Sequence, residues 1–191
     1  FIAPVWKGVN KLGGADDTKE GLSSLGVKVV SRMLDAGIIP DVSHASAQTF
    51  EMIAQICEDR GKTFVATHSD SKAICSHSRN LNDSQFRRIL GCGGLVGISL
   101  YRDHLSEDGQ CGVDTVINHI DHYLSIGGED TVCFGCDFDG IDKMPDGIYN
   151  CADVEKVAGR MISRGYSDET VKKVFYGNAR VFFERNGIKP L

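Results

Sequence analysis

Two short segments place a histidine directly after a β-like run. Asp41-Val42-Ser43-His44 follows the run Ile38–Asp41, and Thr67-His68-Ser69 follows Phe64–Thr67. Neutral imidazole is a borderline donor that suits Zn²⁺ without excluding other divalent metals. If both runs end on one rim of a sheet, the two rings can share an ion at ~2.0–2.1 Å. Taken singly, each histidine reads more readily as a loop residue bonded to backbone. As a pair at equivalent positions of consecutive units, His44 and His68 point to metal binding. A third strand end, Gly135-Cys136-Asp137-Phe138-Asp139-Gly140, carries two carboxylates. Alternation turns Asp137 toward the same interior, where a carboxylate beside metal-bound water can orient it and carry protons. Asp139 falls in an Asp-Gly turn, a common strand terminator. Arg79, in Ser76-His77-Ser78-Arg79-Asn80, lies on the loop after the His68 run. There it could grip a substrate carboxylate through a bidentate pair. A solvated loop arginine fits that position equally well.

Two further motifs invite a chemical reading that their placement argues against. His119-Ile120-Asp121-His122 lies on an amphipathic helix whose buried stripe is Val116, Ile120 and Leu124. Helices of a barrel lie outside it, away from the rim, so packing or surface histidines are expected. Cys133 and Cys136 are an odd number of residues apart on a strand and face opposite ways, which excludes a shared redox or zinc pair. Seven cysteines scattered singly, with no repeated spacing, predict reduced thiols in a cytoplasmic protein.

These residues must be positioned by alternating elements. The predicted strands are Phe1–Trp6, Ile38–Asp41, Phe64–Thr67, Leu95–Leu100 and Val132–Phe138. A helix carrying Leu22, Leu25, Val29, Val30 and Met33 separates the first two. The next begins near Ser46 and buries Phe50, Ile53, Ala54 and Cys57 at i, i+3, i+4, i+7 spacing. Asn82 as N-cap with Gln85 at N3 opens a third, carrying Phe86, Ile89 and Leu90. Others are expected over Asp114–Leu124, Val154–Met161 and Asp168–Phe183, the last capped by Ser167. Strict alternation implies parallel strands with right-handed crossovers. An open dinucleotide-binding sheet would need a glycine-rich turn after a strand, whereas Gly91-Cys92-Gly93-Gly94 precedes one. Side-chain parity favours a closed barrel. Val96, Ile98 and Leu100 oppose small Gly97 and Ser99; Asp137, Gly135 and Cys133 oppose Val132, Phe134, Cys136 and Phe138; His68 shares parity with Ala66 and Phe64. The expected class is α/β, a TIM (β/α)8 barrel. A complete one needs eight strands and ~250 residues, so residues 1–191 form a single partial domain with about five strands.

Composition narrows the partners. With 21 basic and 26 acidic residues, a net charge of -5 and no basic cluster, nucleic-acid binding is not expected. No apolar run reaches the ~20 residues of a membrane span. The segment Phe1-Ile2-Ala3-Pro4-Val5-Trp6 lacks the charged and apolar regions of a signal peptide. It also lacks a start methionine, so sequence upstream of it is expected.

The ordered motifs, taken together, resemble the membrane (renal) dipeptidase family of zinc dipeptidases and its bacterial members. The resemblance runs through nearly the whole chain. It covers Gly21-Leu22, Asp41-Val42-Ser43-His44, Ala66-Thr67-His68-Ser69, Arg79-Asn80 with Asp83, and Gly93-Gly94-Leu95-Val96-Gly97-Ile98. It continues through His119-Ile120-Asp121-His122, Asp137-Phe138-Asp139-Gly140, Arg164-Gly165-Tyr166-Ser167 and Gly177-Asn178. It implies a barrel holding two zinc ions that share a bridging glutamate and a bridging water. It implies His44 and His68 as ligands of one zinc, Arg79 as the residue binding the dipeptide's carboxylate, and Asp137 as the aspartate beside the bridging water. The implied reaction is dipeptide hydrolysis, often tolerant of a D-residue at the C-terminal position; a homodimer is left open. The family's His-x-Asp motif, its bridging glutamate and a second substrate-binding histidine have no match here and belong to a more N-terminal part. Residues 1–191 alone are therefore expected not to be a competent dipeptidase. Were they competent, His77, His104 and Asp139 would be the first replacement ligands to consider. The alternatives are a related metal-dependent amide or lactam hydrolase, and a non-catalytic partial barrel with a binding or assembly role.

Overall fold

The computed structural model describes residues 1–188. Helix α1 (Ser24–Asp35) begins where the Ser23 hydroxyl accepts the Gly26 amide at 3.0 Å, and it buries Val30, Met33 and Leu34. It stops before Gly37, whose φ of 72° needs a residue without Cβ. Helix α2 (Ala47–Asp59) is capped by Ser46 and buries Phe50, Ile53, Ala54 and Cys57, the stripe its spacing predicts. Helix α3 (Asp83–Gly91) carries the expected capping box. The Gln85 amide donates to Asn82 and the Asn82 amide donates back to the Gln85 side chain.

A single unexpected turn, α4 (Arg102–Leu105), precedes α5 (Val113–Ser125) and α6 (Glu155–Ser163). The long final helix expected over Asp168–Phe183 is broken. Its Ser167 cap holds, but α7 (Asp168–Lys172) passes through a π-helical turn, Lys173–Gly177, before α8 (Asn178–Arg185). Beyond that wide turn Asn178 donates to the carbonyls of Glu129 and Val132, both at 2.8 Å. Among the described residues no helix is long and apolar enough to cross a membrane.

The five expected strands are not five regular strands. Among the described residues only β1 (Val96–Ile98) and β2 (Val132–Phe134) form a ladder, parallel, with Val96 opposite Val132. The other three runs contribute isolated parallel bridges, Ile2 to Pro40, Asp41 to Val65 and Ala66 to Val96. Neighbour follows neighbour in sequence order, so the crossover pattern is the expected one. The runs are short because their ends bend into loops: Pro40 cannot donate to a ladder, and Asp137 adopts φ 61°, outside extended space.

The sheet has two chemically different faces. Phe64, Ala66, Val96, Ile98, Leu100 and Val132 pack with α2, α3 and α5 in the main core. Ile39, Val65, Leu95 and Cys133 lie on the other face with Phe182 of α8. This corrects the parity of one residue. By simple alternation His68 belongs with Ala66 and Phe64, under the helices. It does not go there, because the strand ends at Ala66 and the chain crosses the sheet face. Gly97 and Gly135 allow that crossing: a Cβ on either would run into the Thr67 carbonyl. The small residues at these positions are the floor over which Thr67 lies.

Gly135→Ala should therefore cost about 1–3 kcal/mol by overpacking, seen as a lower denaturation midpoint. Gly91→Ala, whose Cβ would meet nothing within 4 Å, is the control and should be neutral. Equal midpoints for the two variants would show that Thr67 does not depend on this floor.

Candidate metal and substrate site

The site is built on Asp41, which is buried at 7% exposure. One carboxylate oxygen accepts from the Ser43 amide at 3.0 Å, the Ser43 hydroxyl at 2.7 Å and the Thr67 amide at 3.1 Å; the other accepts from the Thr67 hydroxyl at 2.5 Å. The Ser43 oxygen in turn accepts the His68 amide at 3.1 Å. Thus Asp41 ties the loop carrying His44 to the loop carrying His68.

Counting protons fixes the His68 tautomer. The Thr67 hydroxyl has one hydrogen, and Asp41 takes it. Toward the His68 Nδ1, 2.8 Å away, Thr67 can only accept. His68 therefore carries its proton on Nδ1 and leaves Nε2 bare. His44 is similarly constrained: its Nε2 lies 3.3 Å from the Arg79 Nη2, which can only donate. The two Nε2 atoms face each other at 3.0 Å. Two bare acceptors at that distance repel unless a cation lies between them, and two imidazoles on one tetrahedral ion would stand about 3.3 Å apart. Burial, then Arg79 and His68, push His44 down to about 4. Burial and Arg79 also lower His68, against the opposing pull of Asp41 and Asp137. Both rings are neutral at ordinary pH, the form that ligates. The donor set fits one ion in part, since among the described residues no group of three His, Cys, Asp or Glu side chains converges to enclose it.

Asp137 stands beside this pair, its Oδ2 4.0 Å from the His68 Nε2. It is the only non-glycine residue with positive φ among the described residues. Gly140 closes the turn by donating to the Asp137 carbonyl at 2.9 Å, and a Cβ at Gly140 would collide with the Asp137 carboxylate. An aspartate in left-handed space costs about 1–2 kcal/mol, and such strain collects at functional positions. Asp139 lies exposed in that turn and does not join the pair.

Arg79 is not a solvated loop residue. It is 8% exposed, its Nε is 3.8 Å from Asp16, and its Nη1 is buried without a partner. Burial lowers its pKa, opposed by Asp16, Asp41, Asp137 and Asp70. His77 accepts the Arg79 amide on Nδ1 at 3.2 Å, and its ring lies 4.8 Å from that of His104. These two histidines face each other, and the charges of His44 and His68 are felt at His104.

Sequence reasoning missed Asp41 and Asp16, and read His119 and His122 as packing or surface histidines, as their placement bears out. The Asp-x-Ser-His spacing was the one available signal for Asp41, since a carboxylate three residues before a ligand is placed to hold its loop. His119 is fully buried, with both ring nitrogens engaged by backbone, and His122 pairs with Asp83 at 2.7 Å. Cys133 and Cys136 take opposite faces as expected, and all seven cysteines are free.

Residues 7–188 match the model of the membrane dipeptidase family, peptidase family M19, and the chain belongs to that family. It is 32% identical over 189 residues to an uncharacterized protein in the pqqA 5′ region of Klebsiella pneumoniae, covering 93% of this chain and 68% of that one. It is 29% identical to human dipeptidase 3, covering 85% of this chain and 33% of that protein. A solved metallopeptidase from Rhodobacter sphaeroides, liganded with a phosphinate mimic of L-Ala-D-Ala, superposes with a TM-score of 0.88 at 31% identity. That match covers 96% of this chain and 55% of the other. The chain thus spans about two thirds of the first relative, a third of the second and half of the third.

Asp41→Asn tests the proton count. An amide nitrogen facing Thr67 would turn the hydroxyl proton toward His68 and force its own proton onto Nε2. Metal affinity of the full-length protein, measured by competition with a chelating dye, should fall about 10–100-fold. Unchanged affinity would remove Asp41 from control of the tautomer.

Proposed function

We propose that this chain supplies part of the active site of a metal-dependent dipeptidase, on an incomplete (β/α)8 barrel. The observation that carries the reading is the pair of bare Nε2 atoms of His44 and His68, 3.0 Å apart, with Arg79 and Asp137 at their sides. The likeness to a metallopeptidase liganded with a dipeptide mimic supports it. His44 and His68 would hold zinc, one of two ions in the whole site, the other ligands coming from outside the described residues. When bound, such ions polarise the scissile carbonyl and lower the pKa of a bound water.

The residues of this chain do the rest. Arg79 has a guanidinium held in a buried setting, with Nη1 free to donate. A dipeptide's C-terminal carboxylate would take that fork, and in doing so would draw Arg79 away from His44. This separates its positive charge from the ion. Asp137, fixed in its strained turn, presents a carboxylate where it can hold the proton removed from the attacking water and pass it to the leaving amine. Burial of Arg79 at low dielectric strengthens its grip on a carboxylate and selects for substrates with a free C-terminus.

Arg79→Lys in the full-length, metal-loaded enzyme should lower kcat/KM for free-acid dipeptides about 10–100-fold, mostly through KM, since a point charge cannot reproduce the fork. A C-terminal dipeptide amide should be a poor substrate for the wild type and lose little more. Equal losses on both substrates would assign Arg79 a structural role.

A further inference from the structure

Helix α5 reaches the site from outside. His119 lies fully buried on it, and its Nδ1 accepts the Ser71 amide at 3.0 Å. The ring's proton must then sit on Nε2, which donates to the Leu105 carbonyl at 3.0 Å. One turn later Tyr123, fully buried and stacked on Phe86 at 4.2 Å, donates to the Asp70 carbonyl at 2.5 Å. The Asp70 side chain accepts the Ser99 amide at 3.1 Å, at the end of β1. From within the same loop Asn80 donates to the carbonyls of Cys75 at 2.8 Å and His104 at 2.7 Å. The loop from Ser69 to Leu81, which carries Arg79, is therefore joined to α4 through His119 and through Asn80, with the Cys75 thiol adding a bond to the Asp103 carbonyl at 3.7 Å between them. His119 joins it at one end, and Asn80, next to Arg79, joins it at the other.

We propose that His119 is a positioning residue for substrate recognition: it sets the loop that carries Arg79 against α4, and so sets where the guanidinium meets the substrate's carboxylate. The proposal rests on the reading of Arg79 given above. Geometry demands a group that accepts on one side and donates on the other, across a gap spanned by a neutral imidazole. Burial, which pushes His119 down to about 4, keeps it in that form. Glutamine is the nearest replacement, having one acceptor and one donor. Asparagine can serve Ser71 but is too short to reach Leu105 as well. Alanine leaves a buried N–H and a buried C=O unpaired.

The test uses the full-length, metal-loaded enzyme. It measures amide hydrogen exchange over residues 69–81, and the ratio of kcat/KM for a free-acid dipeptide over its C-terminal amide. His119→Ala should speed exchange in that loop and lower the ratio about tenfold through KM on the free acid, as expected of a displaced recognition group. His119→Gln should restore most of both. Should alanine fail to fold, His119→Asn replaces it, with a smaller fall of about threefold expected. Faster exchange with an unchanged ratio would overturn the proposal and leave His119 a packing residue. A wild type that hydrolyses amide and free acid equally would instead overturn the reading of Arg79, and the proposal with it; the two failures are told apart before any His119 variant is made.

Discussion

A buried carboxylate is expensive to keep charged, and Asp41 is held by four hydrogen bonds from just two residues, Ser43 and Thr67. Without them the desolvation penalty would be several kcal/mol. With them the carboxylate becomes the joint between two loops that carry the histidines. Everything at the rim follows from this joint. It orients Thr67, Thr67 orients the His68 ring, and the exposed edge of that ring is a lone pair rather than an N–H. The glycines at 97 and 135 matter for the same reason, since they let Thr67 lie across the sheet to reach Asp41.

The electrostatics of the rim are balanced around a buried cation. Arg79 has Asp16, Asp41 and Asp137 as its opposing charges, yet none pairs with it closely; Asp16 is nearest at 3.8 Å. A guanidinium so placed keeps donor capacity for a ligand. It also lowers both His44 and His68, helping to keep these rings neutral. Asp70, by contrast, is buried deeply enough that its carboxyl is pushed well above the usual range, and it serves backbone rather than charge.

Much of this was legible in the sequence, and the reasons are specific. His44, His68 and Asp137 stood at strand ends, where a parallel sheet gathers its loops, so their shared end of the sheet followed from the strand–helix order, though the face that His68 takes did not. Capping residues Ser46, Asn82 and Ser167 located helix starts because their signals are local. Strand lengths were overstated, since β-branched runs do not reveal where a chain bends; Thr67 lies against Gly97 of β1 and Gly135 just past β2, where a Cβ would block its carbonyl. His68 was given the wrong parity for that reason. Local sequence left a carboxylate-binding and a solvated Arg79 equally open, because its charged neighbour Asp16 lies 63 positions away in sequence. His119 was read as a packing residue and is buried as that reading requires; helix periodicity reports which face is buried, and cannot report that this face bonds the backbone of Ser71 and of Leu105 in α4.

A metal ion bridging His44 and His68 is the feature on which the site's chemistry depends. A crystal of the full-length protein grown with zinc, with anomalous differences recorded on either side of the zinc edge, measures it directly. A peak bonded to Nε2 of both His44 and His68, with the His68 Nδ1 still on Thr67, is the predicted result. A zinc peak elsewhere, or rings that bind through Nδ1 after breaking from Thr67, would contradict it.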